Sequence, residues 1–172
     1  QRAKEQSSER RTVILEQART CFLELPYSEI TLEMIARRAG TKAGFASMYF
    51  VDLPHLALGV LREELDSWFA ELEAVLGRLQ PGRRAAREVA RSVVGALAGR
   101  ELLLRMLTAM PALLEVGLSP TEVFTLLRWH RDRLEAPGRV LERAFEHLGP
   151  GGGAATLFEL ELQVAAALPL AS

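Results

Sequence analysis

The chain has a single cysteine, Cys21, which excludes an internal disulfide and a cysteine-based metal cluster. Histidine is nearly as scarce. His55, His130 and His147 stand far apart and lack the close spacing of metal ligands, so neither a metal nor any other cofactor is expected. No uncharged apolar run approaches the roughly 18 residues of a membrane span, because Arg105 and Glu115 interrupt the longest candidate. The sequence opens on Gln1-Arg2-Ala3-Lys4-Glu5, without the apolar stretch of a signal peptide. A cytoplasmic protein without membrane contact is the plain expectation.

Excess charge is missing too. The chain carries 21 basic and 22 acidic residues, a net charge of −1. Residues 1–60 hold 8 Lys/Arg and 7 Asp/Glu, so even this part reaches only +1. No global basic field advertises nucleic acid, and any such binding must come from a few locally placed side chains. Catalytic signatures are absent as well. There is no Ser/His/Asp or Cys/His arrangement and no paired-carboxylate motif. The glycine run 149–153 lacks the Lys-Ser/Thr pair of a phosphate loop. An enzyme is not expected.

What the sequence does contain is helical periodicity, nearly throughout and with no strand-like alternation. Val13, Ile14, Ala18, Cys21, Phe22 and Leu25 form one stripe of a first helix, about residues 8–25, that Pro26 stops. Thr31 reads as the N-cap of a short helix from Leu32 to Ala39, which Gly40 ends. A third helix is expected over about 42–50. Asp52 caps a fourth, with Leu61, Leu65, Trp68, Leu72, Val75 and Leu79 on its apolar face. Pro81-Gly82 is the clearest break. Beyond it, a fifth helix (about 83–98) buries Val89, Val93 and Leu97. A sixth (101–116), apolar nearly all round and kinked at Pro111, should be central. Ser119-Pro120-Thr121-Glu122 is a strong helix start. The helix it begins should run to about Leu148 with a bend at Pro137-Gly138, and a last helix covers about 154–168. The fold class is all-α.

Two short helices joined by a tight turn at Gly40, braced by an apolar first helix, are what a helix-turn-helix requires. At 100° per residue, Ala43, Ala46, Tyr49 and Phe50 share the core side of the second of the pair. Gly44, Phe45, Ser47 and Met48 face away, and Gly44 permits close backbone approach to a duplex. Arg10 and Arg11 are placed either to reach a minor groove as an arm or simply to be solvated.

The series Ile14-Leu15, Ala18, Phe22, Tyr27, Thr31-Leu32, Ile35-Ala36, Ala39-Gly40, Gly44 and Tyr49-Phe50 resembles, in order and spacing, the signature of the tetracycline-repressor (TetR) family of transcriptional regulators. A weaker similarity to the family's sensor domains runs from Leu114-Glu115 through Glu122. The resemblance implies a DNA-binding head over residues 1–52 and a helical effector-binding and dimerisation domain over 53–172. It also implies a homodimer whose last two helices build a four-helix bundle across the two subunits, and repression of a palindromic double-stranded operator relieved by a small molecule. By matching position, Thr31, Lys42, Gly44, Phe45, Ser47 and Met48 become the DNA-contact candidates. Phe45 and Met48 can offer only apolar contacts, such as to thymine methyls. The sequence departs from the family where Ser47 replaces a common Tyr, Met48 a His or Arg-like residue, and Leu53 a phosphate-contacting Lys.

In the C-terminal part, Trp68, Arg105, Met106, Met110 and Trp129 are the candidates for a small, mostly apolar effector. Methionines and aromatics suit a promiscuous apolar pocket but equally suit a core. Arg105 either meets a ligand carboxylate or pairs with Glu101 or Glu115. The segment 119–168 carries more apolar positions than one small body can hide, which points to the homodimer seam. A competing reading keeps the bihelical frame but gives the depleted recognition helix a protein partner in place of DNA.

Overall fold

The computed structural model describes residues 2–78 and 85–167, which form eight α-helices and no strand. Of the positions named above, Gln1, Leu79 and Pro81-Gly82 lie outside the described residues. The helices are α1 (Arg2–Glu24), α2 (Leu32–Arg38), α3 (Ala43–Ala46), α4 (Leu53–Leu76), α5 (Ala85–Leu97), α6 (Glu101–Val116), α7 (Pro120–Ala144) and α8 (Gly152–Ala167). They divide into two compact units, one drawn from residues 1–63 and 105–118, the other from 64–104 and 119–172.

In the first unit, Ile14, Leu15, Ala18, Cys21 and Phe22 of α1 are buried with Ile35 and Ala36 of α2. α1 ends as Pro26 begins a 3₁₀ turn over Tyr27–Glu29. Pro26 has no N–H to continue the ladder. The turn stacks Tyr27 on Phe22, ring centroids 6.1 Å apart. Burial, then the negative charge of Asp52, raise the Tyr27 phenol above its usual range. Cys21 is fully buried, and that burial raises its thiol although Arg38 pulls the other way. Arg38 pairs with Glu24 and Arg19 with Glu63. At the far end of α6, a Cβ on Gly117 would lie 2.3 Å from Cβ of Pro54, so only glycine fits against the start of α4.

The second unit is organised by α7 packed along α8. Ser119 and Glu122 form a reciprocal cap at the start of α7, the side chain of each meeting the backbone of the other. The two helices cross at backbone contact. A Cβ on Gly153 would sit 2.0 Å from the Gly138 carbonyl oxygen. Leu134, Leu141 and Leu157 are buried at this crossing.

Four elements differ from the reading of the sequence, the first being α1, which begins at Arg2 and not near residue 8. The third helix is regular only over Ala43–Ala46, with Lys42 as its N-cap. Ser47 has ψ −14°, the N–H groups of Met48 and Tyr49 reach back three residues, and the Phe50 N–H reaches back four to the Ala46 carbonyl, so turns continue beyond the regular helix. α6 is amphipathic and not apolar all round in its burial. Leu102, Leu103, Met106, Leu107 and Leu113 are buried, whereas Arg105, Thr108, Pro111 and Ala112 are exposed. α7, with Pro137 and Gly138 buried within it, ends at Ala144 and not near Leu148, and a separate 3₁₀ turn follows at Glu146–Leu148.

Candidate functional site

The α2–α3 pair is assembled by local chemistry. Thr31 is extended (φ −127°, ψ 154°), and its hydroxyl accepts the Met34 N–H at 3.1 Å, which starts α2. Gly40 follows the helix at φ +67°, a left-handed conformation that reverses the chain with little cost to glycine alone. Both the N–H and the hydroxyl of Thr41 then donate to the Ala36 carbonyl, at 2.9 and 3.0 Å, and lock the turn. Ala46 and Phe50 are buried and seat α3.

With that face buried, the opposite one is open. Lys42, Gly44, Ser47 and Met48 are exposed, Met48 by 73%. Val51, which the periodicity did not single out, is 78% exposed beside them. Phe45 behaves differently from its neighbours. It is half-buried, with the Arg10 guanidinium 5.3 Å from its ring centroid on one side and the Tyr49 ring at 6.0 Å. Arg11 makes the matching contact to Phe50, also at 5.3 Å. Both arginines lie within α1 and not in an extended arm ahead of it. A cation held over a ring some 35 residues away leaves no trace in helical periodicity, so the sequence could not reveal it.

The effector candidates fall into two places. In the first unit, Arg105 and Met106 border a cleft of about 240 Å³ whose other wall is Phe22, Leu25, Pro26 and Tyr27. Met106 is buried and Arg105 exposed, while Met110 is half-buried and outside that lining. In the second unit, Trp68 and Trp129 flank Phe69, at 5.0 and 6.4 Å between centroids. Trp68 is 1% exposed, and its indole N–H finds no acceptor among the described residues. An unanswered buried donor of this kind is costly. No cluster of three or more His, Cys, Asp or Glu able to hold a metal occurs among the described residues. No described helix is long and apolar enough to cross a membrane.

The α7–α8 pair presents a third feature. His130 and Glu161, both buried, meet at 2.8 Å, with the His130 ring edge-on to Phe69 and Phe158. Over them lies a groove of about 510 Å³ lined by Leu127, Leu134, Ala154 and Phe158 among others. Phe124, Leu127, Phe158 and Leu162 remain exposed on the two helices. Phe158 and Leu162 were not among the positions picked out by periodicity. Leu134, Leu141 and Leu157 point inward.

Comparison with known proteins bears on this arrangement. Residues 62–172 match the family described as tetracyclin repressor-like, C-terminal domain. Among solved structures, the chain is similar to a TetR family transcription regulator from Marinobacter aquaeolei VT8. The identity is 15% and the TM-score 0.51, over 94% of this chain and 97% of that one. At that identity the likeness establishes the fold. No curated protein sequence matches the chain significantly.

Proposed function

The chain belongs to the TetR family, and from that premise we propose that it is a transcriptional regulator that binds a palindromic DNA operator as a homodimer and responds to a small, mostly apolar effector. The observation that carries the reading is the helix-turn-helix itself. Thr31, Gly40 and Thr41 fix α2 and the turn, Ala46 and Phe50 anchor α3, and Lys42, Gly44, Ser47 and Met48 are left facing outward. In this reading residues 1–52 contact DNA, and 53–172 bind effector and dimerise.

The homodimer is supported by Phe124, Leu127, Phe158 and Leu162, apolar side chains that a single chain leaves in water along α7 and α8. A two-fold pairing of these faces would match the symmetry of a palindromic site. Effector binding is supported by the cleft beside Arg105 and Met106, whose walls include the apolar side chains of Phe22, Leu25 and Pro26. The unanswered indole N–H of Trp68 offers a hydrogen bond to a ligand acceptor in the second unit.

The test is selection of duplexes from a randomised library by the full chain, with sedimentation of the same preparation. The expected result is an inverted repeat with half-sites about 10 base pairs apart, bound by a species of twice 19.0 kDa. Enrichment of no sequence would remove the DNA-binding reading and leave the protein-partner alternative.

A further inference from the structure

We propose that Arg10 of α1 is a phosphate-contacting residue of the DNA interface, held in place by the ring of Phe45, and that base reading falls to Ser47 and Met48. The proposal rests on the DNA-binding reading above and specifies which residues do what within it.

Arg38 is paired with Glu24, and Arg19 with Glu63. Arg10 is exposed, and among the described residues no carboxylate pairs with it. Its recorded contact is the π face of Phe45, 5.3 Å from guanidinium carbon to ring centroid, well inside the range of cation–π attraction. Such a contact restrains the long side chain without neutralising its charge. A guanidinium carries five donors in a rigid fork that matches phosphate oxygens, and a ring contact uses none of them as a salt bridge would. The arginine is therefore pre-positioned, and little freedom remains to be lost when phosphate arrives.

Phe45 is correspondingly occupied. Half-buried between Arg10 and Tyr49, it is a platform and not a free probe for thymine methyls. The side chains that project without cover are Ser47 and Met48, with Val51 beside them. Arg11 sits over Phe50, whose ring is buried, so its cation is drawn toward the seat of α3. Arg10 thus joins Lys42, the exposed N-cap of α3, as a cation on the outward side of the recognition segment. Charge alone favours DNA as the occupant. A guanidinium fixed beside an apolar reading edge is complementary to a phosphate beside a groove lined with base methyls.

The experiment uses the full chain and a duplex of about 30 base pairs, long enough for two half-sites, that the wild-type protein has enriched from a random library. Affinity is measured across a salt series for wild type, Arg10→Gln, Phe45→Leu and the double variant. It is measured again on the same duplex with uracil replacing thymine, which deletes only the C5 methyls. Arg10→Gln should lower the log-log salt slope by about 0.9 per subunit, roughly 1.8 for a dimer, and leave the thymine-to-uracil ratio unchanged. Phe45→Leu should weaken binding in the same direction but less, and the double variant should bind no more weakly than Arg10→Gln. Met48→Ala should do the reverse, reducing the thymine preference without moving the slope. An unchanged slope in Arg10→Gln, with wild-type binding intact, overturns the assignment of Arg10 and spares the DNA-binding reading. Full additivity of Arg10→Gln and Phe45→Leu overturns the platform role. If the wild type enriches no duplex, the DNA-binding reading fails and this proposal with it.

Discussion

One substitution, glycine to alanine, should have opposite effects at two sites in the second unit. At Gly153 the added Cβ would lie 2.0 Å from the Gly138 carbonyl oxygen and 2.7 Å from its carbon. Even a close C–H···O contact needs about 3.3 Å, so α7 and α8 must part by roughly 1 Å. The obstacle is backbone and cannot rotate away. A gap of that size forfeits a quarter to a half of the dispersion energy of the atoms lining it, here Leu134, Leu141 and Leu157. Overpacking of this kind typically costs about 1–3 kcal/mol. The gain in helix propensity, below about 1 kcal/mol in a first turn, offsets little of it. We expect Gly153→Ala to cost about 2 kcal/mol. At Gly95, inside α5, a Cβ would meet nothing within 4 Å, and alanine should stabilise by about 0.5–1 kcal/mol. For a chain of this length, each kcal/mol moves Tm by about 2–4 °C. Thermal and urea unfolding at one fixed protein concentration should therefore show Gly153→Ala several degrees below wild type and Gly95→Ala slightly above. The fixed concentration matters because the proposed self-association would shift apparent stability. Equal stability of the two variants would refute the backbone-contact account of the crossing.

Two further outcomes follow from buried groups. His130→Leu strands the Glu161 carboxylate in a buried site and should cost about 3 kcal/mol, whereas His130→Leu/Glu161→Leu should recover most of that; urea unfolding in which the double variant is no better than the single would contradict it. Alkaline stability depends on Cys21 and Tyr27, whose ordinary values of 9.0 and 10.0 are both raised by burial. Each is neutral when protonated, so above about pH 9 the unfolded chain gives up protons that the folded state retains, and stability falls as pH rises. The urea midpoint should drop between about pH 9 and pH 11, and Cys21→Ala/Tyr27→Phe should flatten that drop; an unchanged slope would refute it.

Caps and turns were legible in the sequence because they depend on a few neighbouring residues. Thr31 caps α2, Gly40 takes the left-handed turn, and Ser119 with Glu122 closes the start of α7, each where the residue types place it. The inward and outward faces of α3 and the turn after it were legible for the same reason, since Ala46 and Phe50 against Ser47 and Met48 is a matter of angle alone. Tertiary register was not legible. Nothing in the run Gly151-Gly152-Gly153 tells which glycine meets Gly138, because that depends on how α7 and α8 align. The amphipathic character of α6 was hidden by Pro111 and Ala112, apolar residues that the fold leaves in water. The split of the effector candidates, Arg105 and Met106 in one cleft and Trp68 and Trp129 around Phe69, likewise follows from how helices meet.

The chain's one cysteine has a practical consequence. Cys21 is fully closed to solvent, and its thiol is held protonated beyond the usual range. Maleimides and iodoacetamides attack exposed thiolates, so the native protein should stay dark to them at neutral pH. A single cysteine introduced at an exposed position away from the α2–α3 pair, such as Ala112 or Thr125, would then be the one reactive handle on the molecule. Spin labels or fluorophore pairs could be attached there with no background to remove first. Distances between two copies, with and without DNA or a candidate effector, thus become measurable on an otherwise native sequence.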